Sequence, residues 1–373
     1  MPQRSLFRWN WAISVAALVA ACNTSEDATG EAVRIPDNVA CQRCEIVLDS
    51  IVTLTAPADT TDGFPSAVRV DSLGRYWLLR RGAMPALFAA SGRYLRSVGR
   101  AGQGPGEYLW PSDVIAFARD SVLLIDSRSR RATVLDSALN AIRTIALPIA
   151  VENPVAVHWP DTVLVSGTSP LQGDRGPLHQ LSFAHREATV LGSFRPGGER
   201  MPDEMLLLWR HHIATPRRSH FWTAWESAYD LSRWRLDGTQ VRRLERRPPW
   251  FPGVGSALSY DWRNKPPQSY VAGIEEDTDG LVWVLLATAA PSWKEVIDGI
   301  PAGVAEYDPR RLDLERLMRL TIEAIDPSRA RVLARRTVDG YVVGTVPGIG
   351  MALYHERAGL SQVHLLRVSI RRY

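Results

Sequence analysis

Ser66-Ala-Val-Arg-Val70, Asp71-Ser-Leu-Gly-Arg75, Tyr76-Trp-Leu-Leu79, Ala86-Leu-Phe-Ala89 and Ser91-Gly-Arg-Tyr-Leu-Arg-Ser-Val-Gly99 follow one another within one short stretch of the chain. Short β-rich runs separated by Gly, Asp and Pro punctuation read as strands joined by tight turns, here four strands in a meander. The next stretch repeats the order with Asp113-Val-Ile-Ala-Phe117, Ser121-Val-Leu-Leu-Ile-Asp126, Arg131-Ala-Thr-Val-Leu-Asp136 and Ala141-Ile-Arg-Thr-Ile145. From Glu45 onward no long amphipathic helix interrupts this rhythm, which argues an all-β fold.

Repeated units decide architecture, because one meander cannot bury its own apolar face. A third unit runs from Pro154 through Thr162-Val-Leu-Val165 and His179-Gln-Leu-Ser-Phe183 to Glu187-Ala-Thr-Val-Leu191. A fourth runs from His211 through Ser219–Trp225 to Tyr229–Arg243. The fifth is assigned to Tyr270–Ile274, Leu281–Leu286, Gly303–Asp308 and Leu314–Leu317, and the sixth to Arg331–Ala334, Gly340–Gly344 and Val363–Val368. Starts near residues 66, 113, 154, 211, 270 and 331 match the ~40–50-residue period of propeller blades with loops added. The last unit is one strand short. Cys44–Leu54 is strand-like along its length and is expected to complete it, closing a six-bladed β-propeller with four-stranded antiparallel blades and removing its exposed edge. The expected organisation is a leader over 1–21, a flexible tether over 22–40 and one propeller domain over 41–373.

The leader carries Arg4 and Arg8 ahead of an apolar run, Trp9–Ala21, that is too short for a mature membrane-spanning helix. Leu18-Val-Ala-Ala-Cys22 resembles a bacterial lipobox, which implies cleavage before Cys22 and acylation of its thiol and new amino terminus. Several acyl chains make a stable anchor. Asn23 follows the anchor where Asp would favour inner-membrane retention, so the expected location is the cell envelope of a Gram-negative-type bacterium, on the outer membrane, facing the periplasm or the surface. Cys41 and Cys44 remain as an even pair in an oxidising compartment, read as a local disulfide. A redox-active dithiol and loose metal binding are the alternatives. Glu45 stands where c-type haem attachment requires His, and no second Cys pair completes a zinc site.

Composition closes off other classes. The chain has 373 residues with 27 Gly, 25 Pro and 23% charged residues, ordinary globular values. All but two of its 44 basic residues, Lys265 and Lys294, are Arg. The net charge of +4 falls by two when Arg4 and Arg8 leave with the leader, too little for a nucleic-acid-binding field. No Gly-x-Ser-x-Gly, Walker, dinucleotide or metalloprotease pattern occurs.

Gly99-Arg-Ala-Gly-Gln-Gly-Pro-Gly-Glu-Tyr-Leu-Trp-Pro111, followed by Val-Ile-Ala-Phe and Leu-Leu-Ile-Asp-Ser, resembles the blade junction of NHL-type repeats. The whole layout is similar to six-bladed β-propeller lipoproteins of bacterial envelopes, including the Cys-x-x-Cys ahead of the closing strand. That resemblance implies a scaffold rather than an established chemistry. Gly102, Gly104 and Gly106 suit turns with positive φ, a structural reading. In a propeller such a junction also lies on the face where ligands usually sit, making Arg100, Gln103, Glu107 and Tyr108 the ligand-binding candidates, with His211 added from the fourth inner strand.

His211 and His212 are adjacent in a strand, so only one of them can face the channel. Propeller lactonases hold a divalent ion in a ring of carboxylate, Asn and His groups, and Asp113, Glu152, Asn153 and His211 stand near the corresponding strand starts. This motivates the alternative reading, a metal-dependent lactonase or lyase using a cation such as calcium. The primary reading needs neither catalytic residue, metal nor cofactor: a monomeric binding scaffold with an envelope protein or a carbohydrate-like ligand as partner. Trp209, Trp222, Trp225, Trp234, Trp250, Trp262, Trp283 and Trp293 crowd the fourth and fifth units. Trp250, Trp262 and Trp293, in Pro-rich loops near Arg246 and Arg247, suit either a partner surface or local packing. Arg128–Arg131 and Arg242–Arg247 read as solvated charge runs.

Overall fold

The computed structural model describes residues 31–57, 63–117, 120–158, 162–168, 177–194, 210–253, 261–300, 312–357 and 360–373. The leader, Cys22 and Trp209 lie outside them. The fold is a six-bladed β-propeller. Blade 1 comprises Phe64–Val70, Tyr76–Arg81, Ala86–Phe88 and Tyr94–Ser97, from the channel outward, and blade 2 comprises Pro111–Phe117, Ser121–Asp126, Arg131–Leu135 and Ala141–Ala146. Blade 3 runs from Ala150–His158 to Thr189–Phe194, and blade 4 from His211–Ile213 to Gln240–Glu245.

The chain has no single core. Six apolar clusters each fill the gap between two successive blades, from Trp77, Leu79, Val114 and Leu124 between blades 1 and 2 round to Leu54, Val363, Val68 and Leu78 between blades 6 and 1. This follows from the sequence: strands such as Tyr76–Arg81 and Ser121–Asp126 are apolar on both faces, and each face packs on a different neighbour.

A motif in the inner hairpins fixes the turns of two blades. Asp71-Ser-Leu-Gly-Arg-Tyr-Trp77 in blade 1 and Asp277-Thr-Asp-Gly-Leu-Val-Trp283 in blade 5 share an Asp-x-x-Gly-x-x-Trp spacing. In each, one carboxylate oxygen accepts two turn N–H groups while the other accepts the indole N–H, at 3.0 Å from Trp77 and 2.8 Å from Trp283. Gly74 and Gly280 take φ of 72° and 79°, which a side chain would resist.

Blade 5 departs from the sequence-based assignment. Its strands are Tyr270–Glu276, Val282–Ala289, Met318–Asp326 and Arg331–Asp339, whereas Leu314–Leu317 forms a helical turn capped by the Asp313 side chain, and 303–308 lies outside the described residues. Arg331–Asp339 therefore ends blade 5 instead of opening blade 6. The sixth blade begins at Tyr341–Val346 and continues through Gly350–Arg357 and Leu360–Arg372. A helix-bearing insertion between the second and third strands of blade 5 hid the true third strand.

Cys44–Thr55 fills the outer slot of blade 6, antiparallel to Leu360–Arg372, from Cys44 opposite Arg372 to Thr55 opposite Gln362. Ile46 and Leu54 are fully buried beneath it. Upstream, the tether boundary at residue 40 needs correction, because Val33–Arg34 adds a parallel fifth strand to blade 4 at Leu244 and Glu245, and Ile35 enters the core between blades 4 and 5. Ala40 N–H then bonds the Val332 carbonyl of blade 5. Cys41 and Cys44 form a disulfide just before the closing strand, with Cα atoms 5.4 Å apart.

Asp37, at the middle of this strap, bonds Arg246 at 2.5 Å and Arg335 at 3.0 Å. Both guanidinium groups also reach the buried Glu323, which accepts from the Tyr229 hydroxyl at 2.5 Å. Trp250 stacks beneath both arginines and sends its N–H toward Asp37 at 3.4 Å. Burial raises the Asp37 carboxyl, but hydrogen bonds from Arg335 and Trp250 and the two positive charges outweigh it and hold it below the usual range. Arg246 thus belongs to a buried network, correcting the solvated reading of that run: it sits where a desolvated carboxylate, Glu323, needs a counter-charge.

Two outcomes follow from this architecture. Deleting Glu45–Leu54 removes Ile46 and Leu54, about 3–6 kcal/mol of burial between them, and opens a sheet edge. Thermal unfolding should show a loss of many degrees, while deleting Asn23–Ala32 leaves the melting temperature within a degree or two; equal melting temperatures would refute closure by this strand. Arg246→Met leaves Glu323 with one of its two arginines and should lose about 3 kcal/mol in urea denaturation, with a large part recovered in the Arg246→Met/Glu323→Met double variant.

Candidate functional site

The first residues of all six inner strands converge on one end of the central channel. They line a cavity of about 250 Å³ to which blade 1 gives Phe64–Ala67, blade 2 Pro111–Asp113, blade 3 Glu152, blade 4 His212, blade 5 Tyr270 and Ala272, and blade 6 Tyr341–Val343. Trp110, Arg210, Glu226, Arg80, Arg81 and Ser127 complete the wall. Propeller closure brings these distant positions together, because each inner strand starts at the same end of the ring.

Most acidic groups here are already matched. Asp113 pairs with Arg69 at 2.8 Å and Glu152 with Arg210 at 2.7 Å. Burial pushes the Asp113 carboxyl up, and the Arg69 charge and hydrogen bond only partly offset it. Burial also raises the Glu226 carboxyl against the attraction of Arg210 and Arg81. The Tyr270 and Tyr341 hydroxyls, 3.5 Å apart, are likewise held protonated by burial. The arginines are always charged, so the mouth tends toward positive potential at neutral pH.

The strand alternation at His211 and His212 resolves in favour of His212, which lines the cavity. His211, the residue favoured from sequence, points the other way: it is buried and its ring stacks on Trp225 at 6.0 Å and 10°, while its backbone N–H donates to Ser166 Oγ. The physical reason is the two-residue period of the strand, whose phase the sequence did not reveal. Of the metal set, Asp113 and Glu152 are each engaged by arginine, His211 faces away, and the Asn153 side chain is outside the described residues. Among the described residues no group of three His, Cys, Asp or Glu side chains is arranged to hold a metal ion.

Arg100, Gln103, Glu107 and Tyr108 do not line the mouth; they build a stapled junction between blades 1 and 2. Arg100–Ala101 pairs in parallel with Glu107–Tyr108, Arg100 Nε meets Glu107 Oε1 at 2.9 Å, and Gly104 N–H donates to Glu107 Oε2 at 2.8 Å. The Gly104 N–H, with Arg100, holds the Glu107 carboxyl below its usual range. Tyr108 is 1% exposed in the inter-blade core, under the Arg131 guanidinium, which donates to the Gln103 and Glu107 carbonyls. Gly99 at φ 84° lies against that ring, where a Cβ would meet it at 2.5 Å. The aromatic of the Gly-Pro-Gly-Glu-aromatic junction is thus a core residue, and it pulls the loop off the channel axis.

The following pair does reach the mouth. Leu109 and Trp110 N–H groups both donate to the buried Asp126 carboxylate at 2.9 Å, and the Trp110 side chain lines the cavity while 39% exposed. Sequence reading passed over Trp110, Arg81, Arg210, Glu226 and Tyr341; their shared signal was position at the ends of inner hairpins. The loop tryptophans resolve as packing: Trp250 under Arg335, and Trp262 and Trp293 against the cluster between blades 5 and 6.

No family model matches the chain, and no curated protein matches it. Among solved structures, a member of the DUF4221 family from Bacteroides vulgatus is similar at a TM-score of 0.59 and 7% identity, covering 89% of this chain and 99% of its own. A protein of Bacteroides fragilis described as exported gives a TM-score of 0.54 at 10% identity, covering 92% and 99%. Virginiamycin B lyase from Staphylococcus aureus gives 0.48 at 10% identity, covering 87% and 99%. At these identities the likeness is one of fold alone.

Burial lowers the His212 imidazole to about 4, against a hydrogen bond to the Val271 carbonyl that favours the charged form and with Arg210 and Arg69 adding repulsion. A depressed pKa in the folded state contributes stability that is complete above the unfolded value of about 6.5 and is lost as pH falls through about 4. Urea denaturation across pH 7 to 4 should therefore show a smaller loss of stability for His212→Gln than for the wild type; parallel profiles would contradict this placement.

Proposed function

We propose that the protein is a lipid-anchored extracytoplasmic scaffold that binds a small ligand at the mouth of its propeller channel, without chemistry of its own. The observation that carries this reading is the convergence of all six inner strands on one polar, arginine-rich cavity. Pockets of this kind, concave and lined by a few converging polar groups, are the usual binding sites of folded proteins. The lipobox at Cys22 and the Cys41–Cys44 disulfide support an oxidising location outside the cytoplasm. The leader would be removed at Ala21, leaving a tether that ends where the strap begins at Val33.

A thermal-shift screen of envelope-derived small molecules and glycan fragments tests the binding site. Ligands that raise the melting temperature of the wild type by a few degrees should fail to do so for Ser66→Trp, which fills the mouth from blade 1. Equal shifts in the two proteins, or no shift from any compound, would contradict the reading. The anchor has its own test: Cys22→Ser removes the thiol that takes the diacylglyceryl group and should abolish partitioning into the detergent phase with the fold intact. Retained partitioning after leader cleavage would refute the lipoprotein assignment.

A further inference from the structure

Two polar side chains at the mouth are left for a ligand to complete. Arg81 is exposed on the cavity wall, and among the described residues its guanidinium makes no hydrogen bond or ion pair. His212 Nε2 is buried without a hydrogen-bond partner. A neutral imidazole carries one N–H and one lone pair, so either role at this nitrogen can be met by a hydroxyl. An unsatisfied buried polar atom normally has a partner in the working state of a protein.

The remaining features narrow the ligand. A cavity of about 250 Å³ falls below the roughly 300–1,000 Å³ of drug-sized sites, so the occupant is about the size of one sugar ring. Glu152 and Asp113 are matched by Arg210 and Arg69, which leaves the Arg81 charge in want of an anion. Glu226 faces Arg81 in the same wall without an ion pair at contact distance, and burial raises its carboxyl against the attraction of Arg210 and Arg81. Trp110, its backbone pinned by Asp126, offers an exposed indole of the kind that stacks on the apolar face of a saccharide. The Tyr270 and Tyr341 hydroxyls add further polar groups to the wall.

We propose that the channel mouth takes a hydroxylated ring carboxylate, the chemistry of a uronic acid, with the carboxylate on Arg81, a ring hydroxyl bonded to His212 Nε2 and the ring face on Trp110. This rests on the mouth being the ligand site. A neutral sugar leaves Arg81 without its anion, and a simple carboxylate leaves His212 and Trp110 unused.

Isothermal titration of the full-length protein in detergent tests the assignment with four probes: D-glucuronate, D-glucose, acetate and inorganic phosphate. Glucuronate should bind at least about tenfold tighter than the other three. Arg81→Ala should weaken it by about 10- to 100-fold, the worth of a charge-assisted hydrogen bond, with Arg81→Lys partly restoring it. His212→Phe and Trp110→Ala should each lose several-fold, while Arg100→Ala, outside the cavity, should leave binding unchanged. Glucose binding as tightly as glucuronate, or glucuronate binding insensitive to Arg81→Ala and His212→Phe, would overturn the proposal. Phosphate binding tighter than glucuronate would also overturn it, in favour of a plain anion site. If glucuronate fails while other compounds shift the wild type but not Ser66→Trp, the uronic-acid assignment falls and the mouth remains the binding site.

Discussion

Closure of the ring by Cys44–Thr55 is the constraint on which every other feature depends. Each of the six inter-blade clusters is built from two blades, so loss of the closing strand would uncover part of two of them. The closing strand contributes to both of those clusters at once: Ile46 belongs to the cluster between blades 5 and 6, and Leu54 to the cluster between blades 6 and 1. Sequence ends that are far apart along the chain are thereby joined in one sheet, which converts a string of meanders into one cooperative unit.

The strap extends that logic. Ile35, Asp37 and the Ala40 N–H engage blades 4 and 5 before the chain enters blade 6, so the segment from Val33 to Thr55 spans three consecutive blades. The Asp37–Arg246–Glu323–Arg335 network is costly to desolvate, a cost offset by its paired charges and by the aromatic faces of Tyr229 and Trp250 over its arginines. This arrangement ties the strap to two blades through Asp37 and the arginines beneath it.

The fold was legible where the physics is local. Period-two strands, the turn residues of Asp71–Arg75 and a last unit one strand short sufficed for the ring, its blade number and its closing strand. Blade 5 was misread because the insertion between Ala289 and Met318 carries its own helices, and Gly303–Asp308 imitates a strand in composition. Asp37 and Arg246 were misread for another reason: they pair with each other across 209 residues and Arg246 pairs with Glu323 across 77, separations that leave no mark on local pattern. The site was harder still. The phase of His211-His212 depends on how blade 4 enters the channel, and Tyr108 was read as a ligand contact when its ring fills an inter-blade gap. What the sequence did contain was the Asp-x-x-Gly-x-x-Trp spacing, whose recurrence in blades 1 and 5 marks the hairpins that carry Arg69 and Arg81 on one side and Tyr270 on the other.

A rigid mouth needs a latched ring, and native-state hydrogen exchange reads the latch directly. The amides of Cys44–Thr55 that pair with Leu360–Arg372 should exchange only through global unfolding, with the same protection as the central strands Ser121–Asp126 and Val282–Ala289. Exchange of Cys44–Thr55 at the rate of a fraying terminus, with the blade centres still protected, would show that the ring holds without its amino-terminal strand and would contradict this account.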